Sequence, residues 1–396
     1  MKFISLFAGV GGFDLGMKQA GHECVAQVEH DKHAGGVLKK RFPGIPLYCD
    51  VAKVSGEDLP DCDFLTYGFP CQDLSVANSN REGLSGNRSG LFYEASRLIR
   101  ELIAKGSRIR FALAENVPGL FSADDGLAFA RCVRELFKSG ACEVGWRVFN
   151  SEHFGIPQRR RRVFIVSDLR GQTCDQILSV SESLPGYPAP EQATRDHSSG
   201  KASPGVGADV YNGQLTGQTS ATVTSATGMP NASGPKVLDL PGKKLELSEN
   251  IAFNILQDPV SSEDACPTLG AKRGMGVMAI QGSMIGREEK NGPGGSGFKD
   301  DGTSFTLTSA DKHGVAYEKD KYVVRRLTPK ECERLQGFPD DWTSEKSVLV
   351  LDGNEWTATG QIRKQSDGQR YKQIGNAVSV PVAKYLGEQM SKAIQE

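Results

Sequence analysis

Cys71 stands between a proline and a glutamine in "YGFPCQDLSVANSN", residues 67 to 80. The preceding run, "CDFLTYG", has the apolar and aromatic character of a buried strand and is closed by Gly68 and Pro70. The thiol therefore belongs at the carboxyl end of a strand, where open α/β sheets place their ligands. A cysteine there can serve as a nucleophile, but free cysteine also packs well in cores, and the stretch alone leaves both readings open. A second reactive group is Glu115 in "AENV", again at a strand end. Beside a nucleophilic cysteine it could donate or accept a proton; alone, it could equally pair with an arginine and support the sheet. Four consecutive arginines, residues 159 to 162, precede another strand.

A separate group points to a small ligand. In "FAGVGGFDLG" the glycines Gly9, Gly11 and Gly12 follow the first strand, which implies close approach of a ligand to backbone. This is not the dinucleotide fingerprint, because Asp14 occupies the place of its third glycine. Glu29, ending the second strand, is placed to accept from ribose hydroxyls, and Asp50 could receive an adenine amino group. A glycine turn with two acids describes a nucleoside pocket.

The elements that must position these groups alternate. "KFISLFAG" reads as a strand, "GGFDLGMKQAG" as a turn and helix closing at Gly21, and "ECVAQVEHD" as a second strand. "DFLTYGFP" and "RFALAENV" are further strands. Between them "GLFYEASRLIRELIAKG" carries Leu91, Ala95, Leu98 and Leu102 at helical spacing. "GWRVFNSEHFGIP" and "RRVFIVSDL" read as two more strands. Such βα alternation implies a mostly parallel sheet covered on both faces. From 171 to 320 the chain turns rich in Gly, Ser, Thr, Pro and Ala, with the related stretches "SATVTSATGMP", "CPTLGAKRGMG" and "SFTLTSADKHG". These suggest an irregular strand-and-loop domain presenting turns to a ligand. Regular pattern returns at "RRLTPKECERLQGFPDDW", and "YKQIGNAVSVPVAKYLGEQM" reads as a loop followed by an amphipathic helix.

Composition narrows the class. The 396 residues, 38% hydrophobic and 24% charged, suit a soluble enzyme with one large core or two smaller ones. No apolar run is long enough to span a membrane. Nine cysteines without a CxxC pair, and six histidines without ligand spacing, argue against a disulfide framework and against a metal site. A reducing cytoplasm fits. The net charge of -1 gives no global sign of nucleic acid, yet residues 78 to 110 hold seven Lys/Arg against three acids.

Six stretches in order, "FAGVGGFDLGMKQAG", "GFPCQDLS", "ENV", "QRRRRVFIV", "RRLTPKECERLQGFPDDW" and "YKQIGNAVSVPV", resemble the motif set of DNA (cytosine-5) methyltransferases of bacterial or phage type. The resemblance covers residues 1 to 167 and 321 to 390. It implies a Rossmann-like S-adenosylmethionine-dependent methyltransferase sheet with a smaller, irregular, β-rich target recognition domain. In that family a thiolate adds to C6 of cytosine and makes C5 enamine-like, and Cys71 matches it. Glu115 matches the acid that hydrogen-bonds N3 and the exocyclic amine, and Arg162 the arginine that reaches O2. Arg160 matches a second arginine that holds the catalytic loop or a phosphate. Phe7, Gly9, Gly11, Gly12 and Phe13 match the glycine turn for S-adenosylmethionine. Glu29 matches the ribose acid, Asp50 with Val51 the adenine pocket, and Asn376 with Ala377 the loop closing over the methionine end. Pro70 falls between cofactor and nucleophile. Asp73 departs from the family, which often has proline there, and places an acid near DNA phosphates.

The resemblance also implies double-stranded DNA as partner. A base inside a duplex must be flipped out to be reached. Gln72 and Ser75 are candidates to hold the distorted strand, and Arg81 and Arg88 to attract phosphate. Thr268, Leu269, Thr306 and Leu307 resemble the Thr-Leu pair of family recognition domains. The expected division is catalytic and cofactor-binding to 167, target recognition over 168–320, the rest of the small domain over 321–370, and a C-terminal return to the catalytic domain over 371–396. A monomer in a bacterial cell or phage-infected host is expected, with a cognate restriction endonuclease as an optional companion. The rivals are an RNA methyltransferase of the same fold and a catalytically silent DNA-binding regulator. About 150 residues between the arginines and "RRLTP" favour DNA over RNA, and the intact Cys71, Glu115 and Arg162 disfavour the regulator.

Overall fold

A computed structural model describes residues 1–69, 90–180 (of Asp125 the backbone alone) and 327–395, together with Ser304 and the backbone of eight short strands between 206 and 326. Its centre is a nine-stranded sheet. The strands are β1 (Lys2–Leu6), β2 (Glu23–Val28), β3 (Leu47–Tyr48), β4 (Phe64–Gly68), β5 (Phe111–Asn116), β6 (Glu143–Asn150), β7 (Arg161–Asp168), β8 (Glu345–Asp352) and β9 (Glu355–Lys364). Their order is β8-β9-β3-β2-β1-β4-β5-β7-β6.

Strands β1 to β5 pair in parallel, as the alternating pattern implies. The edges do not: β7 runs antiparallel between β5 and β6, and the hairpin β8–β9 joins β3 antiparallel through Glu355 opposite Tyr48. From β1 the chain builds β2 and β3 on one side, then crosses to build β4 and β5 on the other. The reversal between β1 and β4 makes their carboxyl ends the crevice in which such sheets bind ligands.

Period-two alternation sends neighbouring side chains to opposite faces. Phe3, Phe64 and Phe111, aligned across three strands, are fully buried on one face. Ile4, Leu65 and Ala112 fill the other. Each buried phenylalanine is worth about 1.5–3 kcal/mol relative to exposure. Helices cover both faces: α1 (Gly12–Gln19), α2 (Lys32–Arg41), α3 (Leu91–Ala104), α4 (Leu127–Lys138), α5 (Cys174–Leu178), α6 (Pro329–Leu335), α7 (Asp367–Asn376) and α8 (Val380–Gln395). In α3 the buried side chains Ala95, Leu98 and Leu102 follow the helical spacing seen in the sequence. Helix α8 lies backbone-close on α1, since a Cβ on Gly16 would sit 2.5 Å from that of Ala383, and one on Gly387 would sit 2.8 Å from that of Ala20.

Leu327, Cys332, Phe338, Trp342, Leu349 and Trp356 share a core with Val37, Leu38 and Phe42 of the first third. One expectation needs correction. The stretch "YKQIGN", expected as loop, is the second half of α7. Ser366 caps that helix, accepting from the Gln369 amide, and Ala377 leaves it in extended backbone before α8 begins. The short strands between 206 and 326 form two further four-stranded sheets. No described helix is long and apolar enough to cross a membrane.

Candidate active site at the carboxyl ends of the central strands

The turn after β1 is held in unusual backbone. Phe7 adopts φ 53°, a left-handed conformation rare outside glycine, and such strain gathers at functional sites. Gly9 has φ +59°, and a Cβ added to it would meet nothing within 4 Å, so its backbone faces open space. Gly11 and Gly12 have the opposite reason to be glycine. A Cβ on Gly11 would lie 2.7 Å from the Phe42 ring, and one on Gly12 would lie 2.6 Å from the Val378 carbonyl oxygen.

Glu29, just past β2, bends over this turn. Its carboxylate accepts from the amides of Gly9 and Asp31, both at 2.7 Å. Burial raises its pKa, and those two amides act against the rise. Each oxygen keeps a second lone pair, so a fixed acceptor is presented beside the open backbone of Gly9. Asp50 follows β3 and caps the short turn Val51–Lys53, accepting from the Ala52 amide at 3.0 Å. Val51 and Phe13 are 4% and 5% exposed, and Phe13 packs edge-on against Phe164, so each can offer a ligand only an edge.

On the other side of the crevice Glu115 and Arg162 meet across β5 and β7. Arg162 Nε lies 3.1 Å from Glu115 Oε1, with the side chains 16% and 12% exposed. The Glu–Arg pair weighed as a sheet support is thus present. It is an ion pair without hydrogen-bond alignment, and Oε1 is left with no hydrogen-bond donor among the described residues. The other oxygen, Oε2, is turned toward β4, 3.5 Å from where a Cβ on Gly68 would stand.

Arg160 is 2% exposed. Its guanidinium donates to the carbonyls of Gly375 at 3.2 Å and Ala377 at 2.9 Å, astride the exposed Asn376. Burial, and then the neighbouring Arg162, lower its pKa, while Glu115 opposes them. The candidates Pro70, Cys71, Gln72, Ser75, Arg81, Arg88, Thr268, Leu269, Thr306 and Leu307 lie outside the described residues.

Three contributors were not read from the sequence. Asn116, 3% exposed, donates to the Phe69 carbonyl at 2.8 Å and accepts from the Val117 amide. It was quoted within "ENV" but given no role, although a buried asparagine at a strand end is a positional signal. Trp342 of "PDDW" donates its indole N–H to the Val10 carbonyl at 2.8 Å and so holds the glycine turn. Asp14 is fully buried and accepts from Ser5, Gln27 and Cys24, tying α1 to β1 and β2; burial is the main reason its pKa is raised.

Comparison with known proteins agrees with this architecture. The sequence profile described as C-5 cytosine-specific DNA methylase matches residues 1–392. The chain is 29% identical to the type II methyltransferase M2.BsuMI of Bacillus subtilis (strain 168), over 99% of this chain and 76% of the relative. It is 26% identical to the orphan methyltransferase M.SPRI of Bacillus phage SPR, over 98% and 97% of the two chains. The S. pombe Dnmt2 methyltransferase structure superimposes with a TM-score of 0.51 at 14% identity, covering 100% of both chains, which is a likeness of fold. With a strand order that reverses between the two ligand-side strands and a family match along almost its whole length, the chain belongs to the C-5 cytosine-specific DNA methylases and is a DNA (cytosine-5) methyltransferase.

Proposed function

We propose that the protein methylates C5 of a cytosine flipped out of duplex DNA, through a transient covalent bond from Cys71 and with S-adenosylmethionine as donor. The observation that carries this reading is the convergence at the β1/β4 reversal. Glu115 Oε1 is orphaned beside Arg162, and the chain enters the Cys71 loop from Phe69, which Asn116 holds.

The residues present fit the donor. Gly9 leaves open space at its backbone and Glu29 presents a fixed carboxylate next to it. Glu29 would hold the ribose hydroxyls, Asp50 and Val51 the adenine, and Asn376 and Ala377 the methionine end. When bound, S-adenosylmethionine supplies an electrophilic methyl group. Cytosine C5 is a poor nucleophile until a thiolate adds at C6. Glu115 bonded to N3 and the exocyclic amine, with Arg162 at O2, would stabilise the charge that develops as Cys71 adds. Loss of the C5 proton then lets the C5–C6 double bond re-form as the sulfur–C6 bond breaks.

Residues 168–320 are proposed to read the target, with Thr268, Leu269, Thr306 and Leu307 at base edges. Gln72, Ser75, Arg81 and Arg88 are proposed to hold the strand and its phosphates. The test is duplex DNA carrying 5-fluorocytosine at the methylated site, which bisulfite sequencing locates. The wild-type protein should form a complex that survives denaturation, and Cys71→Ser should not. An active enzyme that leaves no trapped complex would sink the covalent step.

A further inference from the structure

The hairpin β8–β9 reaches the cofactor side of the sheet from more than 300 residues away in sequence. Its turn is two residues long, Gly353 and Asn354, with Gly353 at φ +56° in the first position where tight hairpins favour glycine. Asn354 makes three contacts with the segment carrying Asp50. Its side-chain oxygen accepts from the Asp50 amide at 2.9 Å, its side-chain nitrogen donates to the Asp50 carbonyl at 3.0 Å, and its carbonyl accepts from the Cys49 amide at 2.8 Å. Two residues on, Trp356 is 7% exposed and donates its indole N–H to the Glu29 carbonyl at 3.0 Å. Its ring also packs along α2, 3.7 Å from where a Cβ on Gly35 would stand. Glu355, between them, pairs with Tyr48.

One turn thus grips the main chain of both acids, Glu29 and Asp50, while leaving their carboxylates to other partners. Strand β3, with only two residues, is too short to fix Asp50 by itself. A two-residue strand contributes few ladder bonds, and a backbone amide or carbonyl left unpaired beside a pocket is costly. We infer that Asn354 and Trp356 are positioning residues for the cofactor: through the main chain of Asp50 and Glu29 they set the spacing of the two acids that receive the nucleoside end of S-adenosylmethionine. The inference rests on the cofactor reading above and adds to it the device that holds the pocket in shape.

The experiment measures S-adenosylmethionine binding by calorimetry on the full chain carrying Asn354→Ala, Asn354→Asp or Trp356→Phe. Trp356→Phe keeps an aromatic ring in the core while removing the donor and part of the indole's volume. The dissociation constant should rise about tenfold for Asn354→Ala and for Trp356→Phe, as expected when a hydrogen bond to a positioned backbone group is lost. Asn354→Asp keeps an acceptor for the Asp50 amide but sets a carboxylate against the Asp50 carbonyl, and should bind the donor no better than Asn354→Ala. In kinetics the KM for S-adenosylmethionine should rise in step, while kcat at saturating donor and the KM for DNA change by less than about twofold. A merely structural hairpin predicts instead a lowered Tm with donor affinity unchanged, and that result overturns the inference. Glu29→Ala, measured alongside, separates two failures. If it weakens binding while the hairpin variants do not, only the hairpin assignment is wrong; if Glu29→Ala and the hairpin variants all bind normally, the cofactor pocket itself is misplaced.

Discussion

The side-chain amide of Asn116 donates to the carbonyl of Phe69 at 2.8 Å, joining the end of β5 to the chain just before Pro70 and Cys71. Asn116 follows Glu115 directly, so one strand end carries the acid and fixes the path toward the nucleophile. Replacement by aspartate keeps the size, removes the donor and sets a carboxylate against the Phe69 carbonyl. Asn116→Asp is expected to lower kcat by at least about tenfold, because misplacing a reacting group by even an ångström is costly. Single-turnover methylation checks this, with the donor dissociation constant as the control that should hold. A variant with wild-type single-turnover rate would show that the Phe69 bond does not position the loop.

Glu115 and Arg162 give the second expectation. Glu115→Gln keeps hydrogen-bonding capacity but removes the charge that faces Arg162. The proposed role in stabilising charge on the base predicts a loss of about 10²- to 10⁴-fold in kcat. The outcome to look for is a loss in kcat, and in trapping by 5-fluorocytosine DNA, with little change in Tm. If the pair merely supports the sheet, Tm falls and kcat of the folded fraction does not.

Much of this arrangement was legible in the residues, and the unread parts share a physical reason. Phe3, Ile4, Phe64 and Leu65 lie on strands whose neighbours alternate between two buried faces, so the run of apolar residues announces them. Helix α3 carries one buried stripe and was equally plain. The hairpin β8–β9 was not, because almost all of β9 is exposed and shows no alternation; Trp356 and Leu349 alone commit it to the core. Helix α2 contains Gly35 and Gly36, poor helix formers. Their value lies in a tertiary contact, since a Cβ on Gly36 would stand 2.5 Å from the Ser347 carbonyl oxygen. At the site, the residue types named the acids and the arginines, whereas the partner of each was a long-range matter. Nothing near Arg160 in sequence says that it meets Gly375 and Ala377.

Glu29 carries a pH signature. Burial raises its pKa above that of an ordinary carboxylate. A ribose hydroxyl donates best to the ionised form, so proton uptake competes with the donor. The sign follows: affinity for S-adenosylmethionine is full above the raised pKa and declines as pH falls through it, beginning at a higher pH than a solvent-exposed glutamate would allow. Calorimetry at a series of pH values should show this decline in the wild type, and Glu29→Gln should bind more weakly but with a flattened dependence. An identical slope in both proteins assigns the decline to another group.

Arg160 separates two roles that a basic residue in this family can take. Its guanidinium spans two carbonyls, of Gly375 and Ala377, from a buried position. A lysine ammonium is a point charge and cannot reproduce that planar fork. Arg160→Lys should therefore leave one carbonyl poorly paired, at a cost of about 1–3 kcal/mol in stability. Because Ala377 leads into the segment whose Val378 carbonyl abuts Gly12, slack there should reach the glycine turn. The expected result is a lower Tm and a raised KM for S-adenosylmethionine, with DNA affinity and its salt dependence unchanged. A phosphate contact predicts the reverse: an unchanged Tm, weaker binding to every DNA sequence, and a shallower dependence on salt as one counterion fewer is released. Titrating the variant with duplex DNA at several salt concentrations, beside a thermal melt, decides between them.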